Sequence, residues 1–536
     1  MPENRKIMMK KITRQSPLPI SSTFILLLVA ACSAGGNGWS DESSEVTVAT
    51  ADPVLSIDPA SGYDPGSWVL FNNVFQSLLS FPKGSSEPEP DAAKKCAFID
   101  DKVQTYKCTL RDDVKFSNGD SLTASDVKFS FDRTLAIDDV NGPAVMLQTL
   151  ERVEAVSART VVFHLKTPDA TFPSKIASGA GSIVDHREYK SNALRNDGRA
   201  IGSGPYNLQS FSNRKAKFTV NENYHGSAQV KNSGVTLRFV DQGQKLLKEQ
   251  LAAKKIDIAY RAFDARSVSD FNDQEGLNNR VQVVEGDSAE VQHLVFNMKN
   301  SIAGRLSVRK AIAFLLDRDS LVQKIYQNTA IPLYSVIPAG VTGHRTSFFN
   351  IYGARPSLIK ATNTLRADGI SSKVKLTLWS TPSRYGPATD QEMRAIAEEL
   401  NSSKLFEATV KSIPFNDYSE DVTAGKYGVY VKGWIPDYPD PDNFTAPFFG
   451  KKNVLENNYS NKAINTLIPQ TAAITVRKNA SEKFGELQDI AAKELPVIPI
   501  WQGKQYAVVQ EDVRGYQYCL DSSTIFRFWE LFKVKS

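Results

Sequence analysis

Cys108-Thr-Leu-Arg-Asp-Asp-Val-Lys-Phe116-Ser-Asn-Gly119-Asp-Ser-Leu-Thr123-Ala-Ser-Asp126-Val127 is the stretch from which the rest of the chain is read. Asn118-Gly119-Asp120 is turn chemistry, and Thr123 followed three residues later by Asp126 predicts a capping box with Asp in the acidic position. Val127, Phe131 and Leu135 then recur at i, i+4 and i+8, the stripe of a helix packed on one face. Gly119-Asp-Ser-Leu122 also imitates the opening motif of one esterase family, but the same residues are needed for the turn into the cap.

Outward from this stretch, strand and helix signals alternate. Arg159–Lys166 places Val161, Phe163 and Leu165 on one face, and Val235–Val240 and Val374–Trp379 alternate likewise. Helical spacing links Val308, Ile312, Leu315 and Leu316, then Leu321, Val322 and Ile325. Two more stripes are Met393, Ile396, Ala397 and Leu400, and Phe484, Leu487, Ile490 and Ala491, the last stopped at Pro496. All read as core packing of an α/β protein with mixed sheets. A chain of 536 residues exceeds one core, which stops growing at about 250–300 residues, so more than one domain is expected.

The N-terminus has separate chemistry. Arg5, Lys6, Lys10, Lys11 and Arg14 precede Phe24-Ile-Leu-Leu-Leu-Val-Ala-Ala31, an apolar run too short for the roughly 20 residues that span a bilayer. A basic segment, a short apolar run and small residues make a secretory signal over residues 1–31. Cys32 follows two alanines and precedes Ser33-Ala-Gly-Gly36, like a bacterial lipobox whose Cys carries the lipid. Residues 32–44 then form a flexible tether. Without residues 1–31 the formal charge falls from +5 to +1, and no basic block points to nucleic acid. In an exported chain Cys96 and Cys108, twelve apart, are expected to pair, closing a loop that contributes roughly 3 kcal/mol. Cys519 is left as a buried thiol.

Catalytic and metal signatures are weak. His164, His186, His225, His293 and His344 show no ligand spacing, and there is no Walker loop or nucleophile elbow. Gly179-Ala-Gly181-Ser-Ile-Val184 begins like a dinucleotide loop but lacks the third glycine. No catalytic residue, metal or cofactor is assigned; Ser121 with a distant histidine stays open as a hydrolase alternative.

Several segments, in order, resemble the peptide/nickel-type extracellular solute-binding proteins of family 5. Leu55-Ser-Ile-Asp58-Pro59 and Asn73-Val-Phe-Gln-Ser-Leu-Leu79 look like its "LDP" and "NVYEGL" elements, with Gln76 where Glu is usual. The opening stretch is close to "LRxGVKFxdGxpLTAxDV". Gly202-Ser-Gly204-Pro205-Tyr206 resembles "GTGPY", Asn221-Glu-Asn-Tyr224 resembles "NpdY", and Phe296-Asn297 with Val308–Arg318 resembles "FN…vRqAiayAiDR". Gly433-Trp434-Ile-Pro-Asp437-Tyr-Pro-Asp-Pro441 resembles "GWxxDYpDP".

The resemblance implies a two-lobed clamp of the periplasmic-binding-protein type (type II, cluster C). Residues 45–82, 205–290 and 501–536 would form the first lobe, 83–204 an inserted domain and 291–500 the second lobe. It further implies a lipid-anchored, monomeric protein outside the cytoplasm: on the outer face in a one-membrane bacterium, otherwise on the periplasmic side. Such a protein captures a short peptide and passes it to ABC transporter permease subunits. A sensor of the same fold, or a binder of a sugar or metal chelate, would share the clamp. By resemblance Asp437 accepts the ligand's α-ammonium, the alternative being a turn cap; Trp434 is a cleft wall or core; Arg384 takes the ligand carboxylate or lies in solvent. Gly433 and Tyr385 flank these positions. A buried peptide terminus needs such partners, because an unpaired buried charge is costly.

Overall fold

The computed structural model describes residues 44–240, 244–273, 280–382, 384–451 and 453–534. Cys32, the signal segment and nearly all of the tether lie outside the described residues.

One mixed sheet runs through the molecule. Its strands, in spatial order, are Phe406–Ser412, Val374–Ser380, Val429–Trp434, Val281–Phe296, Val497–Gln510, Ile258–Tyr260, Val46–Thr50, Gly234–Phe239, Lys215–Val220 and Tyr206–Phe211. A short strand, Ala330–Pro332, pairs with Val497–Gln510 off this path. The two long strands are antiparallel to each other, and their register shifts between Asp287 and Val291 and again between Gln292 and His293. Such irregularities bend and twist a strand pair. Here they sit where the buried apolar residues divide. One large cluster spans Ala289 to Trp501; a second takes in Val46 to Tyr260 and Ala507 to Leu531, and a smaller third, with Ala49, Leu251, Val281 and Val508, lies beside the same first-lobe strands. Each lobe thus has its own core, and the long strands belong to both.

A separate four-stranded antiparallel sheet, Ala93–Phe98, Thr105–Leu110, Thr160–Leu165 and Leu150–Ser157, lies within residues 83–204. Its apolar residues are continuous with the first-lobe core. Val162, on the face opposite Val161 and Phe163, is buried with them. Cys96 and Cys108 are directly opposed on neighbouring strands and form a disulfide; Cys519 is a buried free thiol.

The local signals have visible causes. Asn118-Gly119-Asp120 turns with Gly119 at φ +91°, a conformation that favours glycine. Asp126 accepts the Thr123 amide at 2.8 Å and caps the helix Ala124–Ile137. The two sets of spacing from Val308 to Ile325 form two helices, Leu306–Leu315 and Arg318–Lys324, the second started where Asp317 accepts the Ser320 amide. Helix Ser481–Glu494 ends in left-handed Leu495, just before Pro496.

Asp58, from the loop after Val46–Thr50, and Arg133, from helix Ala124–Ile137, form a bidentate pair at 2.7 and 2.6 Å with both side chains about 1% exposed. Asp58 also accepts the Ala60 and Arg195 amides, so its charge is satisfied on several sides. Removing one partner leaves a buried charge, so Asp58→Ala is expected to destabilise the protein by about 3–5 kcal/mol, with partial recovery in the double variant Asp58→Ala/Arg133→Met, read by chemical denaturation. A double variant no more stable than Asp58→Ala would show that the unpaired Arg133 charge is not what destabilises the single variant.

Among the described residues buried Asp91 has one side-chain hydrogen-bond donor, the Gln76 amide at 3.0 Å. Burial pushes its carboxyl from the ordinary 3.8 up to about 6. The stability linked to this proton is present in full below the unfolded value and lost as pH rises through the folded one. Asp91→Asn is therefore expected to stabilise the protein at pH 7.5 by roughly 2–3 kcal/mol and to flatten the pH dependence of unfolding between these values. An unchanged pH profile would refute the assignment.

Candidate functional site

Strand direction places the loops of the cleft. Val46–Thr50 and Ile258–Tyr260 are parallel to each other and point the same way as Val281–Phe296, toward the second lobe. Val374–Ser380 and Val429–Trp434 run the opposite way, toward the first lobe. The carboxyl ends of both sets therefore face each other, the usual location for ligands in open α/β sheets. Residues 51–64 and 261–264 come from one side, 381–388 and 435–443 from the other.

Asp437 follows the strand Val429–Trp434 and is half-buried. Its Oδ1 accepts the Tyr63 hydroxyl at 2.8 Å, from the opposite lobe, and its Oδ2 accepts Asn443 Nδ2 at 3.0 Å. Asn443 Oδ1 in turn accepts the Asp437 amide and the Trp434 indole N–H, both at 3.0 Å. One amide side chain thus orients both residues. Burial raises the Asp437 carboxyl above its ordinary range, while the Asn443 and Tyr63 hydrogen bonds and the Lys175 charge pull it down. Lys175 itself pairs with Asp169 at 2.7 Å.

The other sequence-predicted residues sit close by in unequal roles. Trp434 packs edge-on to Phe448 against the second-lobe core, its centroid 5.5 Å away, so it is partly core while its indole N–H serves the loop. A Cβ on Gly433 would lie 3.0 Å from Gln292 Oε1 and 3.1 Å from Tyr385 Cβ, so this position needs a residue without one unless those neighbours move. Tyr385 is half-buried on the same side. Arg384 is exposed, with its guanidinium 4.7 Å above the Phe415 ring. Gly433, Trp434, Tyr385 and Asp437 are brought together; Arg384 is adjacent but turned onto Phe415.

Sequence reasoning missed Tyr63, Asn443 and Lys175. Asn443 lies six residues beyond Asp437 in the same loop and was within reach of a closer look at that segment. Tyr63 is 374 residues away, and nothing local marks it. On the same side the lobes also meet at Ala170, whose amide donates to the Ala472 carbonyl at 2.7 Å, and at Tyr438 and Thr171, 3.5 Å apart.

Elsewhere between the lobes a cleft of about 710 Å³ is lined by residues that include Arg261, Glu290, Tyr326, Gly386 and Trp501. Arg261 bonds Asp52 at 2.8 Å and lies 3.6 Å from Glu290. Glu392 is buried beneath, accepting Trp501 Nε1 at 2.6 Å, Gln292 and the Tyr326 hydroxyl; burial raises its carboxyl. Asp437 does not line this cavity; the loop 384–388 connects them, with Tyr385 on Gly433 and Gly386 in the cavity wall.

Ser121 is exposed, and among the described residues its hydroxyl bonds no histidine. Asp126, Asp185 and His186 bring possible metal-binding atoms within 4.8 Å of one another. Both carboxylates are already engaged, Asp126 by Thr123 and His186, Asp185 by Arg187 and Asn118.

The family model "Bacterial extracellular solute-binding proteins, family 5 Middle" matches residues 87–456. The "Probable D,D-dipeptide-binding periplasmic protein" of Escherichia coli (strain K12) is 26% identical over 87% of this chain and 90% of its own length. A dipeptide-binding protein of Bacillus subtilis (strain 168) is 24% identical over 86% and 87%. The periplasmic binding protein DppA of Helicobacter pylori, solved with the peptide STSA, superposes with a TM-score of 0.75 at 20% identity, covering 92% of this chain and 98% of that one. The fold is that of the two-lobed, type II periplasmic binding proteins.

Tyr63→Phe deletes the hydrogen bond from the first lobe to Asp437. The ligand-free variant is expected to be more open, with a larger radius of gyration in solution X-ray scattering than the wild type. An equal radius would show that this contact does not hold the lobes together.

Proposed function

We propose that this chain, which belongs to the bacterial extracellular solute-binding proteins of family 5, captures short peptides between its lobes and delivers them to the permease of an ABC importer. The observation that carries the reading is Asp437. It is a half-buried carboxylate at a strand end facing the opposite lobe, held by a phenol and an amide and engaged in no ion pair among the described residues. Both hydrogen-bond partners are neutral, so the negative charge is oriented but only partly offset, by Lys175, which is itself paired with Asp169. A ligand α-ammonium compensates it and loses less by leaving water than it would in an apolar cleft. The extended backbone of a peptide can add to a strand edge, which gives affinity independent of side chains. The names of the relatives, two of them dipeptide binders, support the same ligand class.

In this reading the lobes are 45–82 with 205–290 and 501–536, and 291–500, with 83–204 as the inserted domain. Cys32 carries the lipid that holds a monomer at the membrane surface outside the cytoplasm. Two acyl chains hold stably where one is marginal. Binding is reversible, and no turnover is expected.

The test is calorimetry with two- to five-residue peptides, each with a free and an acetylated N-terminus, on wild type and Asp437→Ala. Acetylation and the substitution are each expected to cost about 2–5 kcal/mol, roughly thirtyfold or more in affinity. Equal affinity for the free and acetylated peptides would sink the ammonium assignment, and a folded protein that binds no peptide would remove the ligand class. Metabolic labelling with palmitate, present in wild type and absent in Cys32→Ser, checks the anchor.

A further inference from the structure

A second cavity, of about 320 Å³, shares no wall residue with the interlobe cleft or with the Asp437 loop. Its wall comes only from residues within 71–91, 177–231 and 525–530, so it lies between the first lobe and the 83–204 region and owes nothing to the second lobe. Gln76, just after the helix Pro65–Val74, and Asp91, just after the short strand Glu89–Pro90, both line it. Gln76 Nε2 donates to Asp91 Oδ1 at 3.0 Å, and among the described residues neither side chain makes another hydrogen bond. Gln76 is only 2% exposed, yet its Oε1 has no partner. An orphaned buried acceptor is costly unless a donor reaches it. Burial raises the Asp91 carboxyl, and the Gln76 hydrogen bond and the Arg111 charge offset this only in part. Arg111 is itself forked onto Asp113 at 3.1 and 3.2 Å.

The cations of the wall already have acidic partners. Lys83 and Lys231 share Glu530 at 3.2 and 2.5 Å, and Arg527 bonds Asp521 at 2.9 Å. Exposed Glu89 adds a second negative group. What is left over is acceptor capacity: one oxygen of Asp91 and the amide oxygen of Gln76. Around them stand Phe75, Phe81, Tyr224 and Trp529. A hard metal ion prefers six or more oxygens, which this wall does not gather. An organic ammonium suits it better, because it brings three N–H donors, is attracted by aromatic faces and carries an apolar part for the rings. We infer that this cavity binds a small primary ammonium, with Asp91 and Gln76 Oε1 accepting its N–H groups and the aromatic wall holding its tail. The volume is at the low end for small-molecule sites and sets the size of the ligand. The site is independent of peptide capture between the lobes.

The probe is phenethylammonium, with 2-phenylethanol as a neutral counterpart of the same shape, each titrated by ligand-observed NMR. Wild type is expected to bind the ammonium saturably with a Kd below about 10 mM, the floor for a ligand of this size at ordinary binding efficiency. It is expected to bind the alcohol at least about tenfold more weakly, the scale of one charge-assisted hydrogen bond. In Asp91→Asn, shown to be folded by circular dichroism, that ratio is expected to fall to within about threefold of unity. Hydrogen exchange of the wild type saturated with the amine locates the site without any variant, and protection is expected within 76–91 and 224–231. No saturable binding, equal binding of amine and alcohol, or a folded Asp91→Asn that keeps the full ratio overturns the inference. A ratio lost in Asp437→Ala and kept in Asp91→Asn, or protection confined to 435–443, places the amine in the interlobe cleft and also overturns it.

Discussion

Val281–Phe296 and Val497–Gln510 lie side by side through both lobes, and everything the cleft can do depends on that shared pair. Ala289–Phe296 and Val497–Trp501 pack in the second-lobe core, while Val281 and Ala507–Val509 pack in the two clusters of the first-lobe side. The hydrogen-bond ladder continues across the boundary, so the lobes cannot separate without bending it. The register shifts at 287–293 place the irregularity where bending is needed. A backbone ladder is stiff along the strands and softer to twist at a bulge, a property suited to a clamp that opens and closes about a fixed line.

The same pair sets the polarity of the cleft. Because Val429–Trp434 runs antiparallel to Val281–Phe296 while Ile258–Tyr260 runs antiparallel to Val497–Gln510, carboxyl ends meet carboxyl ends. Loops at those ends are free to carry polar groups, since the ladders satisfy the backbone behind them. Asp437, Tyr63, Arg261 and Arg384 all stand on such loops. The charged groups in the fold's interior differ in kind. Asp58 and Arg133 satisfy each other and tie the 83–204 region to the first lobe. Asp437 is held only by neutral donors, and Lys432 is unpaired among the described residues. The first two charges satisfy each other; the other two bond no opposite charge among the described residues.

Much of the local structure was legible in the chain. The capping box at Thr123–Asp126, the turn at Gly119 and the stop before Pro496 depend on residues a few positions apart, and each formed as read. The reading was less complete where a distant partner decides. The two sets of helical spacing, Val308–Leu316 and Leu321–Ile325, carried no signal for where one helix gives way to the next; Asp317 caps the second. The alternation at Val161, Phe163 and Leu165 marked one buried face but not Val162, which is buried on the other face between Lys107 and Glu154 of the two neighbouring strands. Within the site, the motif around Trp434 and Asp437 located the loop, and its carry-over to Arg384 located a second. Neither showed that Arg384 stacks on Phe415 rather than turning to the Asp437 loop.

By itself the sequence determined the class of the fold, the family and the loop that carries the acid, because ordered local motifs, periodicity and turn chemistry need no long-range information. The tertiary structure decided who meets that acid. Tyr63 reaches Asp437 across 374 residues of chain. Such partners are chosen by which strand ends the sheet topology turns toward each other, and no spacing along the chain records that choice.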